Sequence, residues 1–193
     1  MWGAQSNNQN FGLSVSNRDY FTGAIYGNDV ISEVANDDEW HHLLFQYDGK
    51  TATLYIDGVE SASKTVALST RSSSFYIGYG GNTSQKQWKG CIADVRVYNR
   101  VLRSKEIASL SSYFDPQYEE ELDSGLLFHA PLSSADNVIV TGQTYTETGT
   151  VTYTTDATIP CAVFDGNSWY DAVWDAITGN AVRTISAWMK YTG

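Results

Sequence analysis

Apolar and polar residues alternate along much of the chain, a pattern typical of β-strands that bury one face. Near the end of the chain, in TISAWMK, Ile185, Ala187 and Met189 alternate with Ser186, Trp188 and Lys190. Residues 41–66 contain two Asp-Gly pairs, which begin at Asp48 and Asp57, between runs rich in β-branched and aromatic residues. Because Asp-Gly adopts the positive φ angles that tight hairpins need, this stretch predicts a meander of antiparallel strands.

One segment has helical rather than strand periodicity. In LRSKEIASL, residues 102–110, Ile107 and Leu110 are three positions apart and Ser104 is available as an N-cap, so one or two helical turns are predicted. Residues 111–125 follow with Asp-Pro, an acidic cluster and Ser-Gly, which make this stretch the best candidate for a linker.

Strand-like runs continue beyond the linker candidate, in GLLFHAPL, TVTYTT, CAVFDG and RTISAWMK. Many short strands, frequent turns and a single short helix predict an all-β fold, an antiparallel sandwich of two sheets. The chain has 193 residues, of which 42% are apolar and 13% aromatic, enough to form the packed core of one domain.

Charge and composition exclude several classes of partner. The net charge of −10 opposes binding to nucleic acid or to anionic membranes, and no apolar run is long enough to cross a bilayer. Met1 is followed directly by WGAQS, so no signal peptide is predicted in this chain. Cys91 and Cys161 lack metal-binding spacing; buried free thiols are the favoured interpretation, and a disulfide is left open.

The elements WHH, YDG, LYIDG, IG and GCIADVRVYNRVL, followed by EI, occur in this order before residue 108. They resemble the second half of laminin-G-like domains, which are jelly rolls of the concanavalin A type. The later elements GLLFHAPLSSADN, VFDGNSWYDA and RTISAWMK resemble the first half of the same kind of domain. The resemblance therefore implies an antiparallel two-sheet jelly-roll sandwich with one short helix.

The two halves occur in the reverse of the family order, which suggests a circular permutation. Residues 1–112 correspond to the family's C-terminal half, 113–124 to a linker, and 125–193 to its N-terminal half, within one domain that spans 1–193. A natural permutation, an engineered one and a slice through tandem repeats all fit. The two halves are expected to dock within one chain as a monomer, or between chains as a half-swapped dimer.

The resemblance implies a non-catalytic domain. Some sandwiches of this superfamily are glycosidases with paired carboxylates in an E-x-D-x-x-E strand, and no strand here has that pattern. His41 and His42 are neighbours on a strand and should point to opposite faces, so we interpret them, like His129, as structural.

No cofactor is predicted to be required. The two loops that hold calcium in the pentraxin branch, AQSNNQN and GYGGNTSQKQ here, lack carboxylates. A structural Ca²⁺ remains possible, with Asp165, Asp171 and Asp136 as candidate ligands and Asn137 as an outside choice, although each aspartate also fits an Asx turn.

Aromatic faces stack on sugars and amides bind their hydroxyl groups, so loop aromatics and amides are the candidates for carbohydrate binding. The resemblance assigns five aromatics to packing: Trp40, Tyr55, Tyr98, Phe164 and Trp188. The candidate carbohydrate-binding residues are Trp2, Asn7, Asn8, Tyr26, Tyr79, Asn82, Trp169 and Trp174.

The predicted function is a carbohydrate-recognition or adhesion module of a larger protein, located outside the cell, on a bacterial surface or on a phage virion. Its partner would be a glycan or a cell-surface polysaccharide. The alternative is a structural or oligomerisation module without a ligand of its own.

Overall fold

The computed structural model describes residues 1–16, 19–80, 87–112, 122–174 and 177–193. The strands before the helix are β1 (Trp2–Gly3), β2 (Asn10–Val15), β3 (Tyr20–Ala24), β4 (Val30–Ala35), β5 (His41–Tyr47), β6 (Thr51–Ile56), β7 (Val59–Thr65), β8 (Phe75–Ile77) and β9 (Lys89–Tyr98). The helix and the strands after it are α1 (Ser104–Ser111), β10 (Leu126–Ala130), β11 (Tyr145–Thr148), β12 (Thr152–Asp156), β13 (Ile159–Asp165), β14 (Trp169–Ala172) and β15 (Arg183–Tyr191).

The larger sheet has eight strands. Its order is β12-β13-β9-β15-β5-β6-β7, and β10 pairs with the second half of β9, beyond the part that pairs with β13. The predicted hairpins are present, because a loop of only two residues, Asp57 and Gly58, joins β6 to β7. Their φ angles of +50° and +81° are the positive values that a tight hairpin turn requires. All pairings in this sheet are antiparallel.

Strand β15 joins the two ends of the chain, because it lies between β5 and β9 and pairs with both. Ile185, Ala187 and Met189 point into the core and are 3–5% exposed. Trp188 points to the opposite face, where it is half-buried and its indole N–H donates to the carbonyl of Leu110 at 3.1 Å. The later part of the chain thus supplies a central strand, β15, to a sheet in which four strands come from the first hundred residues and four from the rest.

Two smaller sheets form the second layer, with the strand orders β1-β2-β3-β4 and β11-β14-β8. They meet where the amino group of Met1 donates to Tyr76 O (2.7 Å) and Tyr76 N–H donates to Met1 O (2.8 Å). The second layer packs on the larger sheet through apolar side chains; the rings of Phe11 and Phe45 stack at 4.5 Å. The core therefore lies between the layers, as in a sandwich.

A buried arginine joins distant parts of the chain inside this core. Arg183 is fully buried, and its guanidinium donates to Thr70 Oγ1 at 2.6 Å and to Gly179 O at 3.0 Å. It also lies within 6.0 Å of the ring centres of Trp2 and Phe11. Burial lowers the pKa of Arg183 to about 10, and the surrounding oxygens satisfy most of its N–H groups.

The helix α1 covers part of the outer face of the larger sheet. Its N-cap is Arg103 rather than the predicted Ser104, which is the first helical residue. The cap is stabilised from within the helix, because the Glu106 carboxylate accepts the backbone N–H of Arg103 at 2.7 Å. Ile107 and Leu110, the two apolar residues of the predicted helical pattern, are buried against the sheet.

The predicted fold class, an antiparallel β-sandwich with one short helix, is confirmed in the described part of the chain. Of the predicted linker, residues 113–121 lie outside the described residues. Residues 122–124 lead into β10, and Arg100 donates to Ser124 O at 2.6 Å. The permuted order of the two halves remains a prediction.

Candidate functional site

A cavity of about 1030 Å³ lies between strands β2–β4 and the segment 75–80. Part of its wall is polar and includes Asn10, Thr22 and Glu33. Its floor is the inner face of the larger sheet, where apolar side chains of β9 and β15 line it. The cavity thus combines a polar wall with an apolar floor, which is typical of ligand-binding sites.

Three aromatic side chains, which we call the aromatic cluster, meet beside this cavity: Tyr76 and Tyr79 line it, and Trp169 packs on Tyr79. The rings of Tyr79 and Trp169 stack, with centres 4.7 Å apart and planes at 23°. Tyr76 meets Tyr79 edge to face at 5.2 Å. All three are half-buried, and both tyrosines line the cavity.

The strand period places this cluster on the outer surface. On β14, Tyr170 and Ala172 point into the core and are 0–1% exposed, so Trp169 and Asp171 between them point outward. Tyr76 pairs with Asp171 on the neighbouring strand and points to the same side. Trp169 therefore lies on the outer face of β14, where its ring is half-buried.

The polar wall of the cavity is acidic. Asp29 and Glu33 line it, and none of the described lining residues is Lys, Arg or His. Asp29 also fixes the local backbone, because its Oδ1 accepts the N–H of Ile25 at 2.9 Å. The carboxylates and the nearby amide of Asn10 can accept hydrogen bonds from hydroxyl or ammonium groups of a ligand.

Two of the predicted carbohydrate-binding residues are core residues. Trp2 is 0% exposed and donates to Ile177 O at 3.3 Å, while Trp174 is 4% exposed and its ring lies 5.9 Å from that of Trp2. Neither indole has a face available for a sugar. Both assignments are therefore corrected, because the two rings fill the interior between the layers.

The other predicted sugar-binding residues fall into two places. Tyr79 and Trp169 come together in the aromatic cluster. Asn8 and Tyr26 lie together away from the aromatic cluster. Asn8 N–H donates to Tyr26 O at 3.0 Å, and Tyr26 lines the cavity. Asn7 is exposed in the same loop.

Asn82 lies outside the described residues. Tyr76, Asp29 and Glu33 line the cavity but were not among the predicted site residues. In the sequence, only the alternation of side chains between the two faces of β4 and β8 could have indicated that Glu33 and Tyr76 line the cavity.

The candidate calcium ligands do not converge. Asp165 forms an Asx turn in which its Oδ1 accepts Asn167 N–H (2.8 Å) and Ser168 Oγ–H (2.9 Å), and these bonds lower the pKa of its carboxyl group. Asp136 is exposed in a loop, and Asp171 lies on the outer face of β14. Across the residues that the structure describes, no three His, Cys, Asp or Glu side chains form a group that could hold a metal ion. A structural Ca²⁺ stays a prediction.

The histidines occupy structural positions. The ring of His41 packs on Phe21 at 4.9 Å and bonds Asp57 (2.6 Å), which raises the pKa of His41. His42 points to the other face against Trp188, and burial lowers its pKa to about 4. The two imidazoles therefore point apart, as the strand period predicts.

His129 lies elsewhere in the fold, where its Nε2 bonds Asp94 Oδ1 at 2.8 Å. Cys91 and Cys161 are free thiols on the neighbouring strands β9 and β13. Cys161 is buried as interpreted from the sequence, whereas Cys91 is only half-buried. In the described part of the chain, no helix combines the length and apolar character that crossing a membrane requires.

Comparison with known proteins identifies the family. The family model described as the concanavalin A-like lectin/glucanases superfamily, of the laminin-G type, matches residues 2–108, more than half of the chain. No curated protein and no solved structure matches the chain. The matched segment, together with the antiparallel sandwich, shows that the chain belongs to the concanavalin A-like lectin/glucanases superfamily.

Proposed function

We propose that the protein is a non-catalytic carbohydrate-recognition module that binds a glycan or cell-surface polysaccharide at the aromatic cluster. The observation that carries the proposal is the half-buried stack of Tyr79 and Trp169 at the edge of the cavity. A stacked pair keeps its rings rigid, so little side-chain entropy is lost when a sugar ring packs on the outer face. The polar wall can then bind the sugar hydroxyl groups.

The charge of the cavity selects among glycans. Asp29 and Glu33 line the cavity, and none of the described lining side chains is Lys, Arg or His. The amino group of Met1, which also lines it, donates to Tyr76 O, and burial lowers its pKa to about 5. Sulfate or uronate groups would be repelled by these carboxylates and by the net charge of −10. The proposed ligand is therefore a neutral or amino-bearing glycan.

The proposed lack of catalysis rests on the absence of a carboxylate pair in the sequence pattern of the glycosidases. The superfamily description includes glucanases as well as lectins, so hydrolysis needs a direct test. We propose that the module works within a larger extracellular, bacterial-surface or virion protein, where glycan binding would serve adhesion.

A glycan array probed with the full chain tests the proposal, followed by titration of each hit. Trp169→Ala and Tyr79→Ala should each weaken binding about 3- to 10-fold, since an aromatic contact contributes about 0.5–1.5 kcal/mol. The matched control is Tyr145→Ala, which removes an aromatic residue that is 41% exposed and lies outside the aromatic cluster.

Equal losses in the control variant would contradict the assigned surface. An array without hits, together with a stable oligomer in solution, would instead favour a structural or oligomerisation module. Release of reducing sugar from a bound glycan would contradict the non-catalytic assignment.

A further inference from the structure

The two cysteines lie on neighbouring strands of the larger sheet and on the same face of it. In the pairing of β9 with β13, Cys91 is opposite Val163, and Cys161 is two residues before Val163. Ile92 and Ala162, which each adjoin one cysteine, are buried in the core, so both thiols point to the outer face. There they belong to one small apolar cluster. The two thiols are therefore diagonal neighbours across a strand pair.

This diagonal placement decides what kind of bond the thiols can form. Diagonal neighbours typically have Cα atoms about 7–8 Å apart, which exceeds the separation of about 4.4–6.8 Å in most disulfides. The thiols are nevertheless in contact, since the S–H group of Cys161 donates a hydrogen bond to the sulfur of Cys91. A disulfide here requires a small backbone movement and is under strain. Because strained disulfides are easily reduced, the geometry favours a reversible bond over a permanent one.

The two thiols differ in exposure and in acidity. Cys91 is half-buried, whereas Cys161 is 0% exposed. The hydrogen bond from Cys161 and the ammonium group of Lys190, which pairs with Cys91 on β15, lower the pKa of Cys91. The same hydrogen bond, together with burial, raises the pKa of Cys161. Cys91 is therefore the thiol that ionises first and is open to a dissolved oxidant, and Cys161 is placed to displace a group attached to Cys91.

The pair lies where β9 exchanges one neighbouring strand for another. β13 pairs with β9 from Lys89 to Ile92, and β10 pairs with it from Val95 onward. Cys161 adjoins Ala162, which pairs with Ile92 at the end of the ladder between β13 and β9. A bond between the cysteines would therefore fasten the edge hairpin of β12 and β13 to β9 at the point where their pairing ends.

We propose that Cys91 and Cys161 form a reversible disulfide, in which Cys91 reacts with the oxidant and Cys161 completes the bond. The oxidant is a small disulfide such as oxidised glutathione. The Cys91 thiolate attacks one of its sulfurs, the S–S bond breaks, and one glutathione thiolate leaves. Cys161 then loses its proton and attacks the Cys91 sulfur, which releases the second glutathione thiolate. The pair thus gives two electrons and two protons to the oxidant, which becomes two thiols. This inference does not depend on glycan binding at the aromatic cluster.

The test incubates the reduced full chain with oxidised glutathione at pH 8 and follows the intact mass. The mass should fall by two hydrogen atoms, after a transient species that carries one glutathionyl group. Trypsin cleaves after Lys89 and Arg96, which separates Cys91 from Cys161. In a digest made without reduction, the peptide 90–96 should be joined to the peptide 106–183, and excess reduced glutathione added to the folded protein should abolish this product.

Two matched variants separate the roles of the cysteines. Cys161→Ser keeps the half-buried thiol and should hold one glutathionyl group, because no second thiol displaces it. Cys91→Ser keeps only the buried thiol and should react at least about tenfold more slowly. If either variant does not fold, the digest of the unchanged protein still decides whether the bond forms.

Four results would overturn the proposal. They are a wild-type protein that keeps its glutathionyl group, a disulfide that joins two chains, a bond that forms only in urea, and a bond that excess reduced glutathione does not break.

Discussion

Glu106 links the start of the helix to residues that precede and follow the segment 113–121. Its side chain is 1% exposed and accepts hydrogen bonds from the guanidinium of Arg100 at 2.6 and 3.0 Å. It also accepts the backbone N–H of Arg103. Arg100 in turn donates to Ser124 O, so one carboxylate fixes the helix start and the entry to β10.

These bonds give a magnitude for the loss of the Glu106 charge. Burial alone would raise its pKa, but the two arginines and the Arg103 N–H prevail and lower the pKa from 4.5 to about 2. A pKa that is lower by roughly 2.5 in the folded than in the unfolded state corresponds to about 3 kcal/mol of stability at neutral pH. Since a domain is stable by only about 5–15 kcal/mol, we expect Glu106→Gln to remove a large fraction of the free energy of unfolding.

The assay is urea denaturation of both proteins at pH 7 and pH 3. Because the pKa of Glu106 is lowered on folding, its contribution is complete above the unfolded pKa and is lost as pH falls toward 2. The difference of about 3 kcal/mol at pH 7 should therefore shrink to about half that at pH 3.

The control for this experiment is Glu60→Gln, at an exposed position on β7, which should change stability by less than about 0.5 kcal/mol. A loss below about 1 kcal/mol for Glu106→Gln at pH 7, or a loss that does not vary with pH, would refute the reasoning.

Three further predictions concern other parts of the fold. The hydrogen bond to Asp57 raises the pKa of His41, so this stabilisation is present below the unfolded pKa and is lost as pH rises through the raised value. His41→Gln should therefore flatten the fall in urea midpoint between pH 5.5 and 8.5, and an unchanged slope would contradict the assignment. Trp2→Ala should destabilise the protein by about 3–5 kcal/mol in the same assay, because it empties part of the core, whereas Trp169→Ala should cost less than half of this. A protease site engineered into residues 113–121 should yield two fragments that elute together after cleavage, because β15 lies between β5 and β9; separation in native buffer would contradict this.

The hairpins and the main sheet could be predicted because their signals are local. Asp57 and Gly58 occupy a two-residue turn whose φ values few other residues tolerate, and β6, which leads into it, alternates between half-buried and buried positions. The helix was placed to within one or two residues for the same reason. Its cap was missed, because Glu106 stabilises the N-terminus through a reciprocal contact that makes a serine N-cap unnecessary.

Whether an aromatic side chain points into the core or to the surface was harder to predict. Trp2 lies in a strand of two residues, too short to show any alternation, and only its pairing with Phe11 places its ring in the core. Trp169 follows a turn. It points outward because its neighbour on the strand, Tyr170, points into the core. For a residue next to a loop, composition alone cannot separate a core ring from a surface ring, since tertiary packing decides which face is covered.

The aromatic cluster has a further property that no single segment of the sequence contains. Tyr76 and Tyr79 come from the part of the chain that precedes the helix, whereas Trp169 comes from the part that follows it. The stack forms where β14 pairs with β8. It therefore requires the later part of the chain, which also supplies β15, to pair with the earlier part. Any ligand that binds both rings therefore binds only the assembled sandwich and stabilises it against separation of the halves. This coupling follows from the pairing of β14 with β8 and of β15 with β5 and β9.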